Sequence, residues 1–256
     1  MKARNSKPDG SEPKKLKGKV ALITGGAKRL GRETALALAQ EGTDVAITFL
    51  KSAHEARNTV VAASRLGVRA LAVECDVRDL KSVQTAVSDV VSELGGLDLL
   101  VNNAGFYETI EFEKLTVERW DNVFAVNARG PFLVSQCAAP HLRKRNGRIV
   151  NLGSLGGERP WATHAHYCSS KAAVIMLTRV MAKALAPEIA VNCVSPGMID
   201  LGEKSAAAFF RKTASRTPVQ RNGTAADVAA AILFFASAPH FITGQALTVD
   251  GGLGLV

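Results

Sequence analysis

Two alternating hydrophobic periods limit the fold of this chain more than any other feature. Short apolar runs predict strands at Val20–Thr24, Asp44–Phe49, Val68–Val73, Leu97–Val101, Arg148–Leu152, Ala190–Val194 and Ala246–Val249. Between them, apolar residues at helical spacing predict helices over Arg29–Glu41, Ala53–Leu66, Leu80–Leu94, Thr116–Arg145, His164–Ala186 and Ala225–Ala236. In the first of these the spacing is carried by Leu30, Ala35, Leu38 and Ala39. Strands that are apolar throughout must be covered on both faces, and strand–helix alternation joins parallel strands by right-handed crossovers. The expected fold is α/β: a single-domain Rossmann-type doubly wound parallel sheet of about seven strands with helices on both faces. Pro131 is expected to bend the helix over Thr116–Arg145, because it removes one backbone donor.

With 256 residues, 47% hydrophobic and 21% charged, the chain can bury a large core without staples. No apolar run is long enough to span a membrane, and no secretory segment precedes the first strand. Cys75, Cys137, Cys168 and Cys193 form no CxxC pair, so reduced thiols and a cytoplasmic location are expected. The net charge is +9. Part of it is gathered in Lys2, Arg4, Lys7, Lys14, Lys15, Lys17 and Lys19, among Pro8, Gly10 and Pro13. Residues 1–17 therefore read as a disordered basic arm ahead of a domain over 18–256. No aromatic residue interleaves these charges, so neither nucleic acid nor membrane is an expected partner.

Two stretches carry chemistry. Thr24-Gly25-Gly26-Ala27-Lys28-Arg29-Leu30-Gly31 joins the first strand to the first helix. Glycines there let the backbone approach a pyrophosphate at a helix N-terminus, where free N–H groups and the dipole favour anions. Further on, Tyr167 and Lys171 are four residues apart and share a helix face. An ammonium beside a phenol favours phenolate, which makes the tyrosine a proton donor or acceptor. His164 and His166 flank Tyr167 without a third ligand at metal spacing, so no metal is expected, and they read as pocket-edge or surface histidines. Cys168 reads as a packing residue. Arg143-Lys144-Arg145 suits a helix C-terminus, with docking of an acidic carrier protein as the alternative.

In this order and spacing, these pieces resemble the short-chain dehydrogenase/reductase family over roughly residues 18–252. The further matches are Asp76-Val77, Asn102-Asn103-Ala104-Gly105, Asn127, Ser154, Pro196-Gly197 and Thr243-Gly244-Gln245…Asp250-Gly251-Gly252. The resemblance implies a hydride from a nicotinamide and a proton from Tyr167 to a carbonyl oxygen. It implies that Lys171 holds the nicotinamide ribose and lowers the tyrosine pKa, that Ser154 bonds the substrate oxygen, and that Asn127 orders a relay water. Asp76, with Val77, would meet the adenine, and Asn103, Ala104 and Gly105 the adenosine ribose. Gly25, Lys28, Leu30, Gly31, Pro196, Gly197 and Ile199 complete the implied cofactor site. The chain departs from the family at Arg29, where glycine is usual, and at Leu201, where threonine is usual. The first departure resembles the pteridine-reductase-like branch; the second leaves the Ile199 backbone to meet the nicotinamide amide.

NAD enzymes of this architecture end the second strand with a carboxylate for the ribose 2′-hydroxyl. Here that strand continues Leu50-Lys51-Ser52. Lys51, Ser52 and Arg29 can instead hold a 2′-phosphate, so NADP(H) is the expected cofactor. The expected activity is reduction of a carbonyl, resembling 3-oxoacyl-carrier-protein reductases, with acyl carrier protein as a partner. Reduction of a pteridine is the alternative, and a non-catalytic NADP sensor a weaker one. Phe106 and Trp161 join Ser154 and Tyr167 as expected substrate contacts, and Leu201–Arg216 resembles the family's mobile substrate loop. The helices over Thr116–Arg145 and His164–Ala186 are apolar on more than one face, which with the resemblance predicts a homotetramer.

Overall fold

The computed structural model describes residues 14–202 and 207–256. All seven predicted strands form: β1 (Val20–Ile23), β2 (Asp44–Phe49), β3 (Ala70–Glu74), β4 (Leu99–Asn102), β5 (Arg148–Leu152), β6 (Ala190–Pro196) and β7 (Ala246–Val249). They make one sheet in the order β3-β2-β1-β4-β5-β6-β7, with every neighbouring pair parallel. The helices are α1 (Arg29–Gln40), α2 (Ala53–Ser64), α3 (Leu80–Leu94), α4 (Val117–Phe124), α5 (Gly130–Arg143), α6 (Ala165–Leu185), α7 (Ala207–Arg216) and α8 (Ala225–Ser237). None of the described helices is long and apolar enough to cross a membrane.

Alternate residues of one strand feed two cores. Ala21 and Ile23 of β1 pack under α1, α2 and α8 with Leu38, Val228 and Ile232. Val20 and Leu22 pack on the opposite face with Val87 and Val90 of α3 and Ala138 and Leu142 of α5. A strand buried on both faces has no polar side, which is why the runs read as continuous. Local signals fix the helix ends. The Asp79 side chain accepts from Ser82 N–H to start α3, which ends on Gly95 at φ +81°. Thr224 and Asp227 form a reciprocal capping box at the start of α8.

Three expectations change. The helix expected over Thr116–Arg145 is α4, a π turn over Ala125–Arg129, and α5. Pro131 has no N–H for the Asn127 carbonyl four residues back, so the α ladder breaks and widens just there. The stretch read as a loop over Leu201–Arg216 contains α7 over its last ten residues, and residues 203–206 of it lie outside the described ones. The arm expected over 1–17 also lies mostly outside them, but its end is packed. Leu16 is buried in the first core, and its carbonyl accepts from the Thr43 hydroxyl at 3.3 Å.

Candidate active site

The sheet order reverses direction between β1 and β4, so their C-terminal ends border a crevice. The glycine turn lies at its floor. Gly25 has φ +64°. A Cβ on Gly31 would lie 2.4 Å from the Gly25 carbonyl oxygen, and one on Gly26 would lie 2.5 Å from Ile47 Cγ2. Only glycine lets α1 start this close to β1. Arg29 has φ +53°. That left-handed backbone explains the glycine usual there and puts about 1 kcal/mol of strain into this turn.

The turn is tied to both neighbouring strands. Thr24 Oγ1 accepts from the backbone N–H groups of Asn103 and Ala104, each at 3.0 Å. Asn103 donates its side-chain amide to the carbonyls of Thr24 and Gly25 at 2.8 and 3.1 Å. Its side chain is thus committed to the turn, and the expected ribose contact falls to the backbone of Asn103, Ala104 and Gly105. Thr59 of α2 donates to the Ala27 carbonyl at 2.9 Å, which fixes α2 beside the turn. Lys51 is exposed next to α2, and Ser52 is that helix's N-cap residue with its hydroxyl unspent on capping. Lys28 and Arg29 are exposed, and Leu30 packs against the first core.

At the end of β3, Asp76 is gripped by its neighbour. Arg78 donates from Nε at 2.9 Å, from Nη2 at 2.6 Å and from its backbone N–H at 3.0 Å. The guanidinium holds the Asp76 carboxyl below the usual range. Val77 is buried against the second core, so only its backbone can face the crevice. After β6, Gly197 lies so close to Asp250 that a Cβ would meet its Cβ at 2.4 Å. Ile199 bridges Gly223 through its neighbours, Met198 accepting and Asp200 donating at 2.9 Å each. The groups of Ile199 itself therefore point away from Gly223. Pro196 is buried.

The second group of residues gathers around Tyr167. Ser154 caps a short 3₁₀ turn after β5, accepts from Gly156 N–H at 3.1 Å, and hydrogen-bonds the Tyr167 phenol. Lys171 is buried and donates to the Leu152 carbonyl at 2.8 Å, with Nζ 5.9 Å from the centre of the Tyr167 ring. Asn127, in the π turn, accepts from Phe106 N–H at 2.7 Å. Its Nδ2 donates to the Phe106 carbonyl at 2.9 Å and to Ser170 Oγ at 3.1 Å. The side chain is a clamp, and Pro131 offers no N–H to the Asn127 carbonyl four residues back. Trp161 lies parallel to Tyr167, 6.1 Å between ring centres. Phe106 is 39% exposed beside this group.

The electrostatics reverse one expectation. Burial raises the Tyr167 phenol to about 12, with the Ser154 hydrogen bond only partly opposing it. Burial also lowers Lys171 to about 8. Enclosure outweighs the pairing because the ammonium is aimed at Leu152 rather than at the phenol oxygen.

Other corrections concern residues that sequence reasoning discounted or passed over. His164 and His166 are not surface residues: they are 8% and 0% exposed. His166 Nε2 lies 3.3 Å from Glu108, which also accepts from Arg119 at 2.8 Å. Cys168 is partly buried against Gly156 and its thiol is pushed up by burial, which fits packing. A buried ladder passed over in the sequence runs Ser135–Asn102–Asn151–Thr178, with links of 2.9, 2.8 and 2.8 Å. Its signal was there: a polar residue inside an apolar strand run needs a partner once buried. A hollow of about 730 Å³ between Arg78 and Arg129 does not include Tyr167. No group of metal-ligating side chains occurs among the described residues.

Comparison with known proteins covers nearly the whole chain. Residues 25–254 match the family model described as "Enoyl-(Acyl carrier protein) reductase". The chain is 37% identical over 240 residues to the 3-oxoacyl-[acyl-carrier-protein] reductase FabG of Staphylococcus aureus strain Mu50, covering 92% of this chain and 98% of that one. Among solved structures it is 41% identical to a short chain dehydrogenase from Burkholderia cenocepacia J2315 in complex with NADP, with TM-score 0.86, covering 93% and 99% of the two chains. It is 29% identical to an NAD+-bound xylitol dehydrogenase, with TM-score 0.88 and the same coverage.

Proposed function

The chain belongs to the short-chain dehydrogenase/reductase family, and from that premise we propose that it is an NADPH-dependent oxidoreductase reducing a carbonyl to an alcohol. The observation that carries the reading is the enclosed Tyr167, bonded to Ser154 and backed by Lys171, at the strand ends beside the glycine turn. A phenol near 12 is protonated at neutral pH, so Tyr167 is set to give a proton to an oxygen rather than to take one. Ser154 is a second donor to the same oxygen, an arrangement that polarises C=O. Lys171 carries its charge below about pH 8 and stabilises the oxyanion side of the transfer. The nicotinamide cofactor supplies the hydride. The turn from Gly25 to Gly31, which has no room for a Cβ at Gly26 or Gly31, fits its pyrophosphate. Asp76, Val77, Asn103, Ala104 and Gly105 would hold its adenosine half, with Lys171, Pro196, Gly197 and Ile199 at the nicotinamide end.

The preference for NADPH rests on Arg29, Lys51 and Ser52, two cations and a hydroxyl where a carboxylate would select NAD. The substrate class is a 3-oxoacyl thioester, with acyl carrier protein as the partner that brings it, as the name of the Staphylococcus aureus relative suggests. A dihydropterin is a second reading, favoured by the exposed aromatic rings of Phe106 and Tyr107. Phe132, Met176 and Val180 stand exposed on α5 and α6, which favours a homotetramer built on these helices. Titration of NADPH and NADH at low salt, followed by fluorescence, tests the cofactor assignment. At least a tenfold preference for NADPH is expected, falling sharply in Lys51→Asp. Equal wild-type affinities would contradict it.

A further inference from the structure

The segment after β4 is fastened to the start of α6 along its length. Asn127 clamps Phe106, and the Ile110 N–H donates to the Thr163 carbonyl at 2.9 Å. Glu108 meets His166 at 3.3 Å. Thr109 Oγ1 and the Tyr107 phenol both reach His164 Nε2, at 3.0 and 2.7 Å, while Thr163 Oγ1 lies 3.0 Å from its Nδ1. His164 is thereby fixed on every polar atom, and Tyr107 is fixed to it.

The rings follow suit. Tyr107 stacks on His164, with centres 5.0 Å apart and planes 28° apart. It meets Tyr167 in a T-shaped contact, again with centres 5.0 Å apart, at 87°. Yet Tyr107 remains 56% exposed. The ring is thus backed by a buried imidazole and stands against the proton donor. More than half of the residue is left open, with its ring centre 5.0 Å from that of the proton donor.

We propose that Tyr107, held by His164, is a stacking platform that selects substrates carrying a flat aromatic ring next to the reducible carbonyl. The proposal rests on the carbonyl-reductase reading and narrows its substrate class to 3-oxo compounds whose reducible carbonyl bears an aryl group. A saturated group against Tyr107 gains only burial, whereas a planar ring extends the His164–Tyr107 stack. Offset or edge contacts between aromatic rings favour binding by roughly two- to twelvefold beyond burial.

Acetophenone and cyclohexyl methyl ketone carry the same number of carbons and differ in the flatness of the ring. Their binding to the protein with NADP+ present, where nothing turns over, is measured by ligand-observed NMR titration. The wild type should prefer acetophenone by several-fold. Tyr107→Leu, which keeps apolar bulk without a ring, should abolish the preference, and Tyr107→Phe should retain it within about twofold. No preference in the wild type, a preference kept by Tyr107→Leu, or one lost in Tyr107→Phe would each overturn the platform. Intact preference in binding, with no NADPH-driven reduction of either ketone, would instead overturn the carbonyl-reductase reading and leave the platform standing.

Discussion

Replacing Lys171 with methionine separates what the buried ammonium does for catalysis from what it does to stability. Burial lowers this lysine from 10.5 to about 8. Below pH 8 the folded protein must hold a proton that the unfolded chain holds more tightly. At about 1.4 kcal/mol per pH unit, the charge therefore lowers wild-type stability by about 3 kcal/mol at pH 7. Between pH 8 and 10.5 the unfolded chain keeps its proton while the folded one has lost it, so stability is recovered as pH rises. By pH 10 the penalty is about 1 kcal/mol. Lys171→Met removes the titration but strands the Leu152 carbonyl, now bonded at 2.8 Å, at a cost of about 1–3 kcal/mol. The variant should match or slightly exceed the wild type at pH 7. From pH 7 to pH 10 the difference should move by about 2 kcal/mol toward the wild type, while all shared titrations cancel. Urea unfolding of both proteins without cofactor, at one protein concentration and at pH 7, 8.5 and 10, reads this directly. A difference that does not change with pH would refute the argument that Lys171 is buried as a charge.

The other predictions concern the two halves of the site. Tyr167→Phe should keep NADPH affinity and lose about 10²–10⁴-fold in kcat, since it removes the donor and no cofactor cradle; an unchanged kcat would reject the role. Arg29→Gly should relieve the backbone at φ +53° and so hold or raise the melting temperature. It should also cut the NADPH-over-NADH affinity ratio about tenfold, and an unchanged ratio would remove Arg29 from the phosphate site. The pH profile of kcat/KM for reduction should fall above about pH 8 as Lys171 loses its charge, with Tyr167 still protonated. A fall that begins only near pH 10 would contradict the shift of Lys171.

The sheet and its order of elements were legible because period and length separate strands from helices in this chain. The grouping of Ser154, Tyr167 and Lys171 was legible because they lie close in sequence, just after β5 and on α6, where local spacing fixes their faces. What the sequence withheld depends on enclosure. Nothing local shows that the Lys171 ammonium turns to Leu152, so the sign of the Tyr167 shift came out wrong. Nothing local shows that Tyr107 and Glu108 meet His164 and His166, because those contacts join residues more than fifty positions apart. The π turn was half legible: Pro131 announced a broken donor, but not that Asn127 would sit inside the break. The stretch over Leu201–Arg216 was read as a substrate loop, and α7 within it has no buried residue to mark a helix. Leu16 was hidden by the lysines around it.

Hydride transfer itself is the most direct measurement. Incubation with NADPH deuterated at the transferring position of the nicotinamide and with an acetoacetyl thioester should give a 3-hydroxy product one mass unit heavier, with the deuterium on the former carbonyl carbon. The Tyr167→Phe protein should form this product far more slowly. Deuterium in a saturated product from a crotonyl thioester but none from the ketone, or no transfer from NADPH to either, would contradict the account.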